Sequence, residues 1–179
     1  MANRSKKVVL SARIAPYLKA GLELYASAEK VKIVKLLEEI LEAALEDANV
    51  QSPFHDSRGE RVEISIYNLL TAIWTEDEVL FKLRAGVLGP NYAGETTWRE
   101  AMVATGCDYF KGDVDLYGDL NGYEEKFGYD VPWSYQLNLE LVREEWHLIQ
   151  DYVAFGENNK PFEPSYDDYK SMRAKSEAK

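Results

Sequence analysis

The sequence predicts a mostly helical protein in two parts: a small N-terminal module with one strand and its helices, and a larger, mainly helical domain for which an α+β arrangement is an alternative. Apolar residues recur at helical spacing over most of the first 48 residues, after one short alternating segment. The 179-residue chain has a net charge of −10, yet residues 1–35 carry eight Lys or Arg against two Glu, a balance of +6. The remaining residues therefore carry −16, and we expect the two parts to have different functions.

The alternating segment, Val8–Ile14, is the predicted strand. One face consists of Val8, Leu10, Ala12 and Ile14, and the other of Val9, Ser11 and Arg13. A lone strand of this length is unstable without a partner strand, and the next thirty residues have a helical pattern. We therefore expect it to pair with the same strand of a second chain, as an antiparallel ribbon across a two-fold axis that directs Leu10, Ala12 and Ile14 onto the helices.

Two apolar stripes follow Pro16, a residue that suits the first turn of a helix. The first stripe contains Leu18, Leu22 and Tyr25, and the second contains Ile33, Leu36, Leu37, Ile40, Leu41 and Ala44. The join between them, Ala26–Lys32, has no Gly and no good N-cap residue after Ser27. Two helices and one long helix from Pro16 to about Asp47 are therefore both compatible with the sequence.

A strand followed by two helices resembles the ribbon-helix-helix family of repressors (the Arc, methionine-repressor and CopG-like group), and the resemblance covers residues 6–48. A two-stranded ribbon fits the major groove of DNA, where an Arg can bind guanine through two hydrogen bonds. The resemblance implies that the outward ribbon face reads bases and that the start of the second helix holds phosphate. The implied base-reading residues are Val9, Ser11 and Arg13, and the predicted phosphate contacts are Lys6, Lys7, Lys30 and Lys32. The expected partners are double-stranded DNA and a second copy of the chain, in a homodimer or higher homo-oligomer.

The segment Asn49–Glu60 concentrates Asn, Ser, Pro, Asp and Gly, which is typical of a linker. We therefore expect a DNA-binding module over 1–48, a linker over 49–60, an acidic, aromatic-rich domain over 61–156 and a charged C-terminal arm over 157–179. Capping-box sequences predict helices that begin near Thr75 and Thr97. The longest predicted helix covers about Trp133–Phe155, with Pro132 as its first residue and a buried stripe of Leu139, Val142, Trp146, Ile149 and Val153.

One stretch of the acidic domain, Asp113–Glu124, resembles a twelve-residue EF-hand calcium loop. It places oxygen ligands or glycine at several of the required positions, namely Asp113, Asp115, Gly118, Asn121 and Glu124. Tyr117 stands where Asp or Asn is usual, and the flanking residues do not predict strong helices. An acidic surface loop is the alternative, and calcium is the one cofactor that the sequence suggests.

Several function classes lack support in the sequence. It has no phosphate-binding or dinucleotide-binding glycine loop, no Gly-x-Ser-x-Gly elbow and no Cys/His metal spacing, so an enzyme is not predicted. No apolar run approaches the ~20 residues of a membrane-spanning helix, and the N-terminus lacks a secretion signal. Cys107 is the only cysteine, which fits a reducing cytoplasm.

We therefore expect a cytoplasmic transcriptional repressor or autorepressor, whose acidic domain serves oligomerisation, ligand binding or binding of a protein partner. Plasmid-maintenance proteins and antitoxins share the implied fold and are related expectations. The alternative is a protein-interaction module without a DNA role, in which the acidic domain binds a basic protein or mimics nucleic acid. Arg13 separates the two classes, because only the first requires it for sequence preference.

Overall fold

The computed structural model describes residues 9–118, 120–131 and 133–177, and it is mostly helical, as predicted. The helices are α1 Pro16–Glu29, α2 Ile33–Asp47, α3 Ile66–Ile73, α4 Glu78–Val87, α5 Pro90–Ala93, α6 Glu95–Gly106, α7 Tyr123–Phe127, α8 Leu139–Asn158 and α9 Tyr166–Glu177. The strands are β1 Asn49–Gln51, β2 Glu63–Ser65, β3 Lys111–Asp115 and β4 Gln136–Leu137. Short 3-10 turns cover Asp108–Phe110 and Leu120–Gly122. Within the described residues, no helix is both long enough and apolar enough to cross a bilayer.

The chain divides into two compact units, which differ from the predicted boundaries. The N-terminal unit comprises the residues up to Ser52 together with Glu63–Leu70, and the C-terminal unit comprises Pro53–Val62 and Thr71–Lys179. The predicted linker over 49–60 is wrong at its start. Strand β1 pairs there with β2 in antiparallel register, with Val50 opposite Ile64, and Phe54 is fully buried. The polar and turn-forming residues that predicted a linker therefore flank a short strand and a buried aromatic residue.

Helices α1 and α2 are separate, so the alternative of one long helix is wrong. Lys30 ends α1 in the left-handed conformation, with φ 56° and ψ 37°. The Val31 N–H donates to the Ala26 carbonyl at 3.0 Å and the Lys30 N–H donates to the Ser27 carbonyl at 3.3 Å. This pair of bonds is a Schellman motif, which usually places Gly or Asn at the left-handed position. Because Lys30 stands where Gly or Asn is usual, the sequence does not indicate that α1 ends there.

Helices α4, α6 and α8 pack together in the C-terminal unit. Gly86 of α4 lies so close to α6 that an added Cβ would stand 2.5 Å from both the Ala101 Cβ and the Thr97 carbonyl oxygen. Only glycine permits that approach. Ala101 and Leu83 are completely buried at the contact.

Helix α8 has the buried stripe that the sequence predicts, but it begins later. The stripe of Leu139, Val142, Trp146, Ile149 and Val153 is confirmed. The predicted start near Trp133 is wrong because Gln136–Leu137 pairs with β3 as strand β4. Asn138 then caps the helix, its side-chain oxygen accepting from the Leu141 N–H at 3.2 Å. The helix also continues through Gly156 to Asn158, whereas Pro132 lies outside the described residues.

The two capping-box helices are present with different first residues. Asp77, rather than Thr75, is the N-cap of α4 and accepts hydrogen bonds from the Val79 and Leu80 N–H groups. Helix α6 begins at Glu95, so Thr97 is already inside it. The Asp77 carboxylate also pairs with Arg143 of α8.

The charged C-terminal arm predicted over 157–179 contains helix α9, which begins at Tyr166. Helix α9 buries Tyr166 and Tyr169, and Pro164 before it is buried as well. The Tyr152 hydroxyl donates to the Pro164 carbonyl at 2.8 Å. Aromatic side chains therefore anchor a segment whose charge predicts solvent exposure.

Glu100 of α6 is a buried carboxyl group that the sequence does not single out. Burial raises its pKa above the ordinary value, against the opposing effects of a hydrogen bond with Gln150 and the charge of Lys82. A carboxyl group whose pKa is raised by folding makes the protein less stable as pH rises through the window above its ordinary pKa.

We expect Glu100→Gln to increase the free energy of unfolding at pH 7 by about 1 kcal/mol, because it keeps a hydrogen-bonding group without a buried charge. Urea denaturation at pH 7 and at pH 3.5 measures this. The difference in the free energy of unfolding between the variant and wild type should vanish at pH 3.5, where wild-type Glu100 is protonated. An equal gain at both pH values would contradict the role assigned to its ionisation.

Candidate nucleic-acid interface

The predicted base-reading residues lie in an exposed segment that precedes α1. Val9, Ser11 and Arg13 are all exposed, and Val9 keeps 94% of its accessible surface. In the single chain, residues 9–15 form neither helix nor strand. The predicted strand is therefore absent without a partner, and its pairing with a second chain remains a prediction. Lys6 and Lys7 lie outside the described residues.

The segment does not cover the helices of its own chain. Leu10 and Ile14, which the ribbon interpretation directs onto the helices, are 82% and 50% exposed. Within α1 and α2 only Ala26 and Leu36 are buried. The exposed apolar surface of the two helices, here called the apolar face, consists of Tyr17, Leu18, Leu24, Tyr25, Ile33, Val34, Leu37, Ile40 and Leu41. Exposed apolar patches of this kind are typical of interaction surfaces.

Two of the four predicted phosphate residues, Lys30 and Lys32, lie at the turn between α1 and α2. Lys30 is the left-handed residue of the Schellman motif and Lys32 is the N-cap of α2, and both are exposed. They line an open depression of about 510 Å³ with Glu23, Ala26, Ser27, Val31, Ile33 and Val34. Glu23, the one carboxylate there, forms an ion pair with Lys19 at 2.9 Å. The hydrogen bond that Lys19 makes with the Glu23 side chain, together with the negative charge of Glu23, raises the pKa of Lys19.

The first turn of α2 is open to an anion. No side chain caps it and it contains no acidic residue. The backbone N–H groups at a helix N-terminus carry partial positive charge and have no partner within the helix, so they bind phosphate readily. With Lys30 and Lys32 beside them, these groups can hold a phosphate oxygen through hydrogen bonds and charge together.

Lys30 allows a test that separates its conformation from its charge. We expect Lys30→Gly to raise the free energy of unfolding by about 1 kcal/mol, because glycine adopts the left-handed conformation without the clash that a Cβ suffers. Chemical denaturation measures the change, with Lys30→Ala as the control that removes the charge and keeps the Cβ. Equal stabilities of the two variants would show that the left-handed residue carries no strain.

The predicted calcium residues are dispersed in the structure. Asp113 and Asp115 belong to strand β3, and the Asp115 carboxylate accepts from the Tyr117 N–H at 3.2 Å. The Asn121 amide donates to the carbonyls of Thr71, Ala72 and Trp74 at 2.9–3.1 Å, at the end of α3. Glu124 lies in the first turn of α7.

These placements do not favour the calcium prediction, since strand β3 covers the first three positions of the predicted loop and a short 3-10 turn, rather than a helix, precedes that strand. Over the parts of the chain that the structure describes, no group of three or more His, Cys, Asp or Glu is arranged to hold a metal ion.

The C-terminal unit contains a polar cluster that the sequence does not predict. The Glu145 carboxylate accepts hydrogen bonds from the Tyr109 and Tyr166 hydroxyls, each at 2.7 Å, and from Lys170. The Lys170 Nζ also lies 4.1 Å from the Tyr109 ring centroid. No local spacing signals the cluster, because Tyr109 and Glu145 are 36 residues apart.

The chain matches no protein-family model, no curated protein and no solved structure.

Proposed function

We propose that the chain is a sequence-specific, homodimeric DNA-binding protein whose N-terminal unit forms a ribbon-helix-helix module. The observation that carries the proposal is the uncapped N-terminus of α2 beside Lys30 and Lys32, which is an anion-binding arrangement within the basic part of the chain. In the proposed dimer, residues 8–14 of two chains pair as a ribbon and the apolar face becomes buried. Val9, Ser11 and Arg13 then contact base edges.

The position of the basic residues along the chain supports this assignment of roles. The N-terminal unit as a whole is neutral, because five acidic residues of α2 and Glu63 offset the balance of +6 in residues 1–35. A protein that neutralises phosphates releases counterions, so its affinity for DNA falls steeply with salt. The basic residues needed for this are concentrated in residues 1–35, which carry a balance of +6, whereas the rest of the chain carries −16 and would be repelled by DNA. The C-terminal unit, with 23 acidic against 13 basic residues, therefore serves a purpose other than phosphate contact. Transcriptional repression by the dimer is the proposed biological role.

Selection from a random double-stranded DNA pool with the full chain tests the proposal. We expect an enriched sequence with two-fold symmetry, bound with an affinity that falls steeply as salt increases. Arg13→Ala should remove the sequence preference and leave the dimer intact. Lys30→Ala should weaken binding to all sequences about equally and should reduce the salt slope by about one for each phosphate that the variant no longer neutralises. A folded dimer that enriches no sequence at moderate salt would refute the proposal.

A second candidate is a protein-interaction module, which the −16 charge outside residues 1–35 favours. Here the N-terminal unit only dimerises, and the acidic unit binds a basic protein. Arg13→Ala would then change neither dimerisation nor binding of the partner. A selection experiment without enrichment, combined with a stable dimer, would support this second function.

A further inference from the structure

The C-terminal unit contains a cavity that none of the proposed DNA contacts uses. It has a volume of about 370 Å³, and α6, α8 and the segment 160–164 contribute its walls. Its lining is predominantly apolar, and the residues are Trp98, Arg99, Met102, Val103, Tyr152, Val153, Gly156, Lys160, Glu163 and Pro164. This size and lining are typical of small-molecule sites, which are mainly apolar with a few polar groups that fix orientation. The volume lies near the lower end of the range of roughly 300–1,000 Å³ for ligand pockets, so it suits a small ligand.

Gly156 keeps one wall of the cavity open. It lies inside α8, where glycine costs about 1 kcal/mol relative to alanine. No backbone requirement explains it, because its φ is not in the left-handed region and an added Cβ would meet no atom within 4 Å. The missing side chain leaves space on the cavity wall, next to Val153 and Tyr152. A larger residue there would occupy space that the chain otherwise keeps empty.

The opposite wall is fixed in place. The Tyr152 hydroxyl donates to the Pro164 carbonyl at 2.8 Å, and the Phe155 and Phe162 rings meet edge to face with centroids 6.2 Å apart. These contacts keep the segment 160–164 in a fixed position against α8, as a preformed ligand site requires.

Lys160 gives the cavity a polar group suited to an anion. Arg99, the other cation in the lining, already donates to the Glu95 carboxylate at 2.7 and 2.9 Å, and the charge of Glu163 also acts on it. By contrast, no carboxylate of the described residues lies within 4.0 Å of the Lys160 Nζ. Lys175 of α9 likewise has no ion-pair partner among the described residues, but it does not line the cavity.

We propose that this cavity binds a small carboxylic acid with a flat apolar body. The apolar body lies between the Trp98 and Val153 walls, in the space beside Gly156, and the carboxylate pairs with the Lys160 ammonium. This binding function is independent of the DNA-binding proposal, since every residue that carries it belongs to the C-terminal unit.

The test uses the full chain and 2-naphthoate as the probe, observed through the indole N–H resonances of the four tryptophans in ¹⁵N-labelled protein. Trp98 lines the cavity and Trp74 does not, so the two indoles separate binding in the cavity from binding elsewhere. We expect naphthoate to shift the Trp98 resonance saturably and to leave that of Trp74 unchanged. 2-Naphthylmethylammonium, which has the opposite charge on a similar body, should bind at least about fivefold more weakly.

Two pairs of variants locate the apolar body and the carboxylate. Gly156→Leu should abolish the Trp98 shift because it fills the cavity, whereas Ala154→Leu, on the exposed side of α8, should preserve it. Lys160→Gln should weaken the binding of naphthoate about fivefold, which is the scale of an exposed ion pair. Lys175→Gln should leave the binding unchanged. The Trp74 resonance reports in each variant whether the unit remains folded.

An unshifted Trp98 resonance at millimolar naphthoate would refute the site. Tighter binding of the ammonium probe, insensitive to Lys160→Gln, would overturn the assignment of an anionic ligand and would point to Glu163 as the partner of a cation.

Discussion

Replacing Ile40 and Leu41 on the apolar face by serine is expected to convert a dimer into a monomer and to abolish specific DNA binding. These side chains are 40% and 51% exposed in the single chain, so about half of each is free to be covered by a partner chain. Because complete burial of such a side chain is worth roughly 1.5–3 kcal/mol, burial of the exposed half contributes roughly 0.6–1.5 kcal/mol, and a symmetric interface contains each side chain twice. The dimer dissociation constant should therefore rise by several orders of magnitude.

A matched variant separates this effect from a change in helix propensity. Glu42→Ser combined with Glu46→Ser introduces the same two serines into α2 at exposed polar positions. We expect that variant to remain dimeric and to bind DNA. Sedimentation equilibrium measures the association state, and circular dichroism shows whether α2 stays helical. A monomeric wild-type chain, or an Ile40/Leu41 variant that remains dimeric, would contradict the proposed use of the apolar face.

DNA binding should follow dimerisation, because one chain presents only half of a ribbon. In the single chain, Arg13 lies in an exposed segment that is neither helix nor strand. In the proposed dimer, pairing of the two strands would place two copies of Arg13 across a two-fold axis. The serine variant should therefore lose sequence preference even at low salt, where charge alone still attracts it to DNA.

Periodicity predicted the parts of the fold that depend on local spacing. The five buried positions of α8 were identified because they recur at helical spacing from Leu139 to Val153. The start of α8 was missed because Gln136 pairs with Asp115 in the β3–β4 sheet, and a pairing over that sequence distance leaves no local signal. Whether the chain turns at Lys30 could not be decided from the sequence for a different reason. The backbone adopts a left-handed conformation there without the glycine that normally marks it.

The candidate sites differ in the same way: one can be located from local sequence, and the other depends on how the helices pack. Lys30 ends α1 and Lys32 is the N-cap of α2. The resemblance placed both near the start of the second helix, and their contact with phosphate remains a prediction. The cavity beside Gly156 needs α6 and α8 to be packed together before any concave surface exists. Gly156 directly follows the helix predicted to end at Phe155, in the place where glycine commonly ends a helix, whereas in the structure α8 passes through it.

Replacing Glu145 by alanine is expected to lower the free energy of unfolding by about 2–3 kcal/mol. The carboxylate holds α9 on α8 through charge-assisted hydrogen bonds from Tyr166 and Lys170, with a third from Tyr109. The Glu145 side chain is 18% exposed and that of Lys170 is 28% exposed, so water replaces these bonds poorly. Removing one member of such a cluster leaves the others without partners, at about 1–3 kcal/mol for a stranded buried polar group.

Glu144→Ala is the matched control, since Glu144 is exposed on the same helix and should change stability by less than about 0.5 kcal/mol. Urea denaturation gives both values. Trypsin provides a local readout, because Lys170, Arg173 and Lys175 lie in α9 and should be cleaved faster when that helix detaches. Equal stabilities of the two variants, with unchanged cleavage of α9, would refute the role assigned to Glu145.

The pH dependence of the Glu145→Gln variant distinguishes the charge of the cluster from its shape. Burial opposes ionisation of Glu145, but the hydrogen bonds from Lys170, Tyr109 and Tyr166 outweigh it and lower the pKa of the carboxyl group. A carboxyl group whose pKa is lowered by folding stabilises the protein above its ordinary pKa, and this stabilisation is lost as pH falls through the lowered value. The stability difference between wild type and Glu145→Gln should therefore be complete at pH 7 and should shrink below about pH 4.5. A difference that stays constant from pH 7 to pH 3 would mean that α9 is held by packing of Tyr166 and Tyr169, and that the charge on Glu145 contributes nothing.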